Sequence, residues 1–185
     1  MSPEVIMGLG MLGVLGVLAS GGLGGGNVFN AQLGAQDIYR MADELGRVYF
    51  PTVDPLMVTA IAKIESSFRP LAERAEPHIN DRSIGLMQTL VKTAQWLWDD
   101  MGARDYPRPS AASLGDPLTS LYFGMAYLNW LKSYRGQAQP VEFVVRAYNG
   151  GPGGANIAQT AVYFEKYRKA RSELASMLAV PGSWS

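Results

Sequence analysis

The chain has 185 residues, with 16 Lys and Arg balancing 16 Asp and Glu, one histidine and no cysteine. That length accommodates one ordinary domain with an appendage and a sizeable core. Zero formal charge gives no basic surface for nucleic acid, missing cysteine excludes disulfides and thiolate chemistry, and one histidine excludes a histidine metal cluster.

Residues 5–36 carry no charged side chain. Within them Val5–Leu23 is an apolar run that would span roughly 28 Å as a helix, close to a bilayer core. Three readings stand for it. It is a membrane anchor, on length. It is a signal peptide cleaved after Ala19, although Glu4 precedes the run where Lys or Arg is usual. Or it is a segment ordered only on assembly, because the glycines of Gly21–Gly26 weaken any helix. Residues 1–36 are therefore set apart as an apolar, glycine-rich segment and linker. The domain proper runs over 37–178, and 179–185 is a tail.

Asp37–Tyr49 predicts an amphipathic helix with Ile38, Met41, Ala42, Leu45 and Val48 on one side. Asp54–Pro70 predicts a second helix. Asp54 can accept from the first free N–H groups, and Pro55 suits the first helical position. Leu56, Met57, Ala60, Ile61, Ile64 and Phe68 form its apolar stripe, and Pro70 ends the run. Glu65 lies beside that stripe near the helix end. A carboxyl losing hydration there keeps its proton to higher pH, which is what a general acid needs.

Leu71–Ser83 is polar and contains Pro77, Asn80 and Asp81, so it reads as a loop, with His78 an exposed member. Thr89–Met101 reads as a helix, and residues 102–113 as a proline-containing connection. Asp116-Pro117 repeats the helix-start signal ahead of Leu118, Leu121, Tyr122, Met125, Leu128 and Leu131. Gly136–Pro140 is a turn, Val141–Tyr148 a short helix, Asn149–Gly154 a glycine-rich break, and Gln159–Leu178 a final helix. No strand alternation is visible, so the expected domain is all-α.

Three motifs follow Glu65-Ser66 in order: Ser83-Ile84-Gly85-Leu86-Met87-Gln88, then Ala147-Tyr148-Asn149-Gly150-Gly151-Pro152-Gly153, then Thr160-Ala161-Val162-Tyr163. Gly85 would let backbone approach a ligand, and Gln88 offers a donor and an acceptor to hydroxyl or acetamido groups. Singly each is a weak signal; their joint order is strong.

On these motifs the chain, over about residues 37–170, resembles the lytic transglycosylases that carry the lysozyme-like soluble-transglycosylase (SLT) domain. The resemblance implies an all-α, goose-type-lysozyme-like fold. It implies that Glu65 is the catalytic acid and base. Gln88, Tyr148 and Asn149 would line a glycan cleft with the motif positions Ser66, Ser83 and Gly85, Met87 would pack on the sugar, and Tyr163 would close the site. The implied substrate is peptidoglycan, cleaved between N-acetylmuramic acid and N-acetylglucosamine to leave a 1,6-anhydro end. Neither metal nor cofactor is implied.

Glycosidases usually employ two carboxylates. Glu76, Asp81 and Asp116 are the available second groups, each with a simpler role in a loop or cap. Hydrolysis by a goose-type-lysozyme-like muramidase, or an inactive glycan-binding component of a phage particle or secretion or conjugation machine, remain the alternatives. The substrate places the protein in the cell envelope or periplasm, held through residues 5–23, or in a phage virion.

Overall fold

The structure, a computed structural model, describes residues 33–178. The run Val5–Leu23, with its anchor, signal-peptide and assembly readings, and the tail 179–185 lie outside the described residues. Among the described residues no helix is long and apolar enough to cross a membrane.

Six helices and one small sheet make up the described fold: α1 (Ala35–Tyr49), α2 (Pro55–Ser66), β1 (Glu73–Glu76), β2 (Asp81–Ile84), β3 (Thr89–Leu90), α3 (Val91–Asp99), α4 (Pro117–Lys132), α5 (Val141–Gly154) and α6 (Ala158–Leu178). Both Asp-Pro starts act as caps. Asp54 accepts from the Leu56 N–H at 2.9 Å, and Asp116 accepts from the Thr119 N–H at 2.8 Å and its hydroxyl at 2.9 Å. Pro55 and Pro117 occupy the first turn, where a missing N–H costs nothing.

The core closes around α2. Val58, Thr59 and Ala62, outside the expected stripe, are fully buried, while Ile64 of the stripe is only partly so. α2 is enclosed by α1, α4 and α6 rather than resting one face on a neighbour. Two ion pairs tie α2 to α6: Arg171 to Asp54 at 3.0 Å and Lys63 to Glu173 at 2.6 Å. Together with the buried α6 residues Tyr167, Ala170 and Leu174, they fix which part of α6 faces the end of α2.

The expected helical class holds for the described residues, with one local difference. The stretch expected as a loop over 71–83 holds β1 and β2, which pair antiparallel with Glu73 opposite Ile84 and Glu76 opposite Asp81. β3 adds on the other side of β2, with Ser83 opposite Leu90. A single 3-10 turn, Pro77–Ile79, closes the β1–β2 hairpin, and Asn80 takes the left-handed conformation that ends it. The helix expected from Thr89 begins at Val91, because Thr89 and Leu90 belong to this sheet. The glycine-rich break at 149–154 also differs: helical turns continue on both sides of a kink at Gly151, where φ is 70° and ψ 166°.

Candidate active site

Glu65 is the penultimate residue of α2. The helix does not run on to Pro70 as the proline suggested; it stops at Ser66. Ser67 and Phe68 then both adopt left-handed backbone, with φ of 52° and 62°. Two such residues without glycine are costly. They reverse the chain, bury Phe68, and send residues 69–76 back past Glu65 into the sheet.

One oxygen of Glu65, Oε1, accepts the Tyr163 phenol at 2.6 Å. Tyr163 comes from the first turns of α6 and is nearly buried. Burial pushes the Glu65 carboxyl above the ordinary carboxylate range. The Tyr163 hydrogen bond and the charges of Arg74 and Lys166 pull it partly back. Tyr163 is itself held well above its usual value, by burial first and the Glu65 charge next, so it stays a donor across the working pH range. Tyr148 is raised by the same two causes, and its hydroxyl donates to the Met87 carbonyl at 2.8 Å.

Two cavities flank Glu65. The first, about 460 Å³, is walled by Glu65, Ser83, Gln88, Tyr127, Tyr148 and Asn149, with Arg74, Glu76 and His78 from the hairpin on its rim. The second, about 540 Å³, is bounded by Glu65, Arg69, Leu71, Glu73, Arg74 and Gln88. Glu65, Arg74 and Gln88 belong to both and form the wall where they meet.

The motif residues divide by what their side chains do. Glu65, Ser83, Gln88, Tyr148 and Asn149 reach the first cavity, and Tyr163 meets it through Glu65. Gln88 is braced on both ends of its amide: Nε2 donates to Ala72 O at 2.8 Å and Gly85 O at 3.0 Å, while Oε1 accepts from the Ser83 hydroxyl at 3.1 Å. Its backbone is left-handed, with φ 48°.

Two expectations need correction, for Met87 and Ser66, and Gly85 has a further role. Met87 does not face the cavity: it is fully buried over Gly124, and only its carbonyl serves the site, by accepting from Tyr148. Ser66 is buried, and its hydroxyl donates to Ala62 O within α2. Gly85 is required by the protein's own packing, because at φ 82° a Cβ would lie 2.2 Å from Leu114 O and 2.5 Å from Ser120 Oγ.

Of the three acids weighed as a second carboxylate, Asp116 caps α4, and Asp81 accepts the N–H groups of Arg82 and Lys92. Glu76 does face the first cavity, but it is bound by Arg74 at 2.6 Å. Sequence reasoning missed Arg69, Arg74 and Tyr127. Arg69 sat at the end of a stretch read as helix, Arg74 in one read as loop, and Tyr127 lay outside the motifs.

The family model described as Transglycosylase SLT domain matches residues 47–170. The 70 kDa soluble lytic transglycosylase Slt70 of Escherichia coli has the same fold, with a TM-score of 0.59 at 20% identity over 74% of this chain. An inactive mutant of the lytic transglycosylase Slt of Pseudomonas aeruginosa gives a TM-score of 0.59 at 22% identity over 79%. This chain spans 24% of the length of each of those structures. No curated protein sequence matches it. With a match over most of the described domain, and a fold shared with two solved lytic transglycosylases, the chain belongs to the transglycosylase SLT domain family.

Proposed function

We propose that this protein is a peptidoglycan lytic transglycosylase with Glu65 as its acid and base. The observation that carries the reading is one carboxyl, dried by burial and gripped by Tyr163, at the wall shared by two cavities. A polymer threaded through both cavities would have a glycosidic oxygen beside that carboxyl. Glu65 gives its proton to the oxygen between N-acetylmuramic acid and N-acetylglucosamine, and the C–O bond to the anomeric carbon breaks. The substrate's N-acetyl group supports the developing positive charge. Glu65, now ionised and held by the Tyr163 O–H, takes the proton of the muramyl C6 hydroxyl. That oxygen closes on the anomeric carbon and forms the 1,6-anhydro ring. Water is not consumed, so no second carboxylate is needed to activate it, in keeping with a Glu76 already engaged by Arg74.

Ser83, Gln88, Tyr148 and Asn149 hold the sugar side of the first cavity in this reading. The names of the two similar structures support the activity, as does the description of one of them as an inactive mutant. Mass spectrometry of muropeptides released by the protein tests the reading: anhydro ends are expected, whereas reducing ends would replace transglycosylation by hydrolysis.

The same reading places the protein at the cell envelope, where its substrate lies. Val5–Leu23 then serves as the means of tethering or delivering the domain, on a bacterial membrane or within a phage or secretion apparatus. Fractionation of cells making the full chain, with and without residues 5–23, checks this: release of the shortened protein from the membrane fraction is expected for a tether.

A further inference from the structure

A third cavity, of about 410 Å³, lies where the end of α2 meets α6, and it shares no residue with the two that flank Glu65. Ile64, Phe68 and Ala170 make its apolar part. Around them stand Lys63, Lys166 and Lys169 against one acid, Glu173. These charges do not cancel. Lys63 and Glu173 neutralise each other at 2.6 Å, and the nearby Glu165 is taken by Arg168 at 3.2 Å. Among the described residues neither Lys166 nor Lys169 has an ion-pair partner, and both are exposed. Two ammonium groups are left over beside an apolar hollow.

The chain enters the described domain at the same place. Leu33 is buried, and its N–H donates to Phe68 O at 3.2 Å. Residues 24–32 alone separate Leu33 from the apolar run Val5–Leu23, a reach of at most about 35 Å at full extension. That is roughly the width of a domain of this size, so a run held in a bilayer would keep the face bearing this cavity nearest the lipid. Charge selects the occupant. Residues 5–36 carry no charged side chain, so the head of the chain has nothing to offer the lysines. An anionic lipid surface has headgroup phosphates for the two ammonium groups and apolar matter just below for the hollow.

We propose that this face of α2 and α6 docks on an anionic membrane surface, with Lys166 and Lys169 against the lipid headgroups, as a second hold beside the run Val5–Leu23. The inference rests on the tether reading above. Two lysines hold a free protein weakly, but a tether makes docking intramolecular, and each lysine then favours the docked state about fivefold. Ile64 and Glu65 are successive residues, about 100° apart around α2. Docking through Ile64 therefore leaves the cleft opening to the side, clear of lipid.

The chain has no cysteine, so one introduced cysteine takes one fluorophore. Ser176→Cys places it on the exposed part of α6, one turn beyond Glu173. Ser133→Cys places it after α4, beside the start of α2, where Lys132 donates to Thr52 O. The full chain carrying either probe is added to phosphatidylcholine vesicles, with or without phosphatidylglycerol, whose headgroups bear a quencher. Sedimentation with the vesicles reports the tether, and quenching reports the docked face. Quenching at Ser176 is expected to rise at least about threefold when phosphatidylglycerol is present, and at Ser133 to stay unchanged. Lys166→Gln with Lys169→Gln removes the rise, Arg at both positions keeps it, and added salt abolishes it. Circular dichroism of each variant separates loss of fold from loss of contact. Equal quenching at the two positions, or quenching at Ser176 indifferent to phosphatidylglycerol, would overturn the docking face while the tether stands. A chain that sediments with neither kind of vesicle removes the tether and the face together. A Ser176 probe already shielded without vesicles gives the cavity to residues 24–32, or to a second copy if the shielding grows with protein concentration, and overturns the lipid assignment.

Discussion

At the level of single side chains, the site turns on how one carboxyl is balanced between drying and support. Burial makes the ionised form of Glu65 expensive, and Tyr163 returns part of that cost through one short hydrogen bond. Glu65→Gln should remove turnover by at least about 100-fold, because the amide cannot exchange the proton. It should also stabilise the fold near neutral pH. A carboxyl whose folded value is raised above its ordinary 4.5 destabilises the native state as pH rises through that folded value, and contributes nothing of the kind below the ordinary one. The melting-temperature gain of Glu65→Gln over the unmodified protein should therefore grow from acid toward neutral pH and vanish in acid. A gain independent of pH would remove burial as its cause. Tyr163→Phe makes the complementary case. Without the phenol the ionised carboxyl loses its largest support, so the alkaline fall of activity should move to higher pH and the maximal rate drop by roughly tenfold. A lower rate with an unmoved alkaline limb would mean that Tyr163 acts through packing alone.

At the level of elements, the helices were readable and the sheet was not, for a definite reason. Asp54-Pro55 and Asp116-Pro117 announce their helices because capping is local chemistry, and both caps are made. β1 is Glu-Arg-Ala-Glu, exposed along most of its length, so it carries no apolar alternation to mark it as a strand. The same blindness hid Arg74, which only pairing with β2 brings over Glu65. Motif order found Glu65, Gln88, Tyr148, Asn149 and Tyr163. It could not tell which atom of a motif residue serves the site, and so Met87 was read as a sugar contact when its carbonyl is the part in use. The turn from Gly85 to Gln88 shows how tightly this element is built. Gly85→Ala would drive a Cβ against the Leu114 carbonyl, which is backbone and cannot swing aside, in a conformation that already disfavours alanine. A loss of about 3 kcal/mol or more is expected from the clash and the strain together. Gly124→Ala presses instead on Met87, whose side chain can adjust in part, so about 1–3 kcal/mol is expected there. Urea denaturation of both variants compares them, and an order of effects opposite to this would show that the turn yields more readily than the α4–Met87 contact.

At the level of the whole molecule, the question is why the carboxyl proposed as acid and base should stand between two cavities instead of at the end of one. The double left-handed turn after α2 leads into residues 69–74, which wall the second cavity beside Glu65. The helices α4 and α5 supply Tyr127, Tyr148 and Asn149 on the near side. The acid thus has a binding surface before it and another behind it, which suits a bond within a chain better than a terminal unit. The expected consequence is a steep dependence on substrate length. Oligomers long enough to occupy one cavity only should bind but turn over poorly, because the energy of the remote contacts is not available to hold the reacting bond against Glu65. The specificity constant should climb with each added disaccharide until both cavities are filled and then level off. Product analysis over a graded series of peptidoglycan oligomers measures this. Cleavage confined to chain termini with no length dependence would mean that one cavity is not used. Internal cuts with a plateau would show that the hairpin-side and helix-side walls act on the same strand.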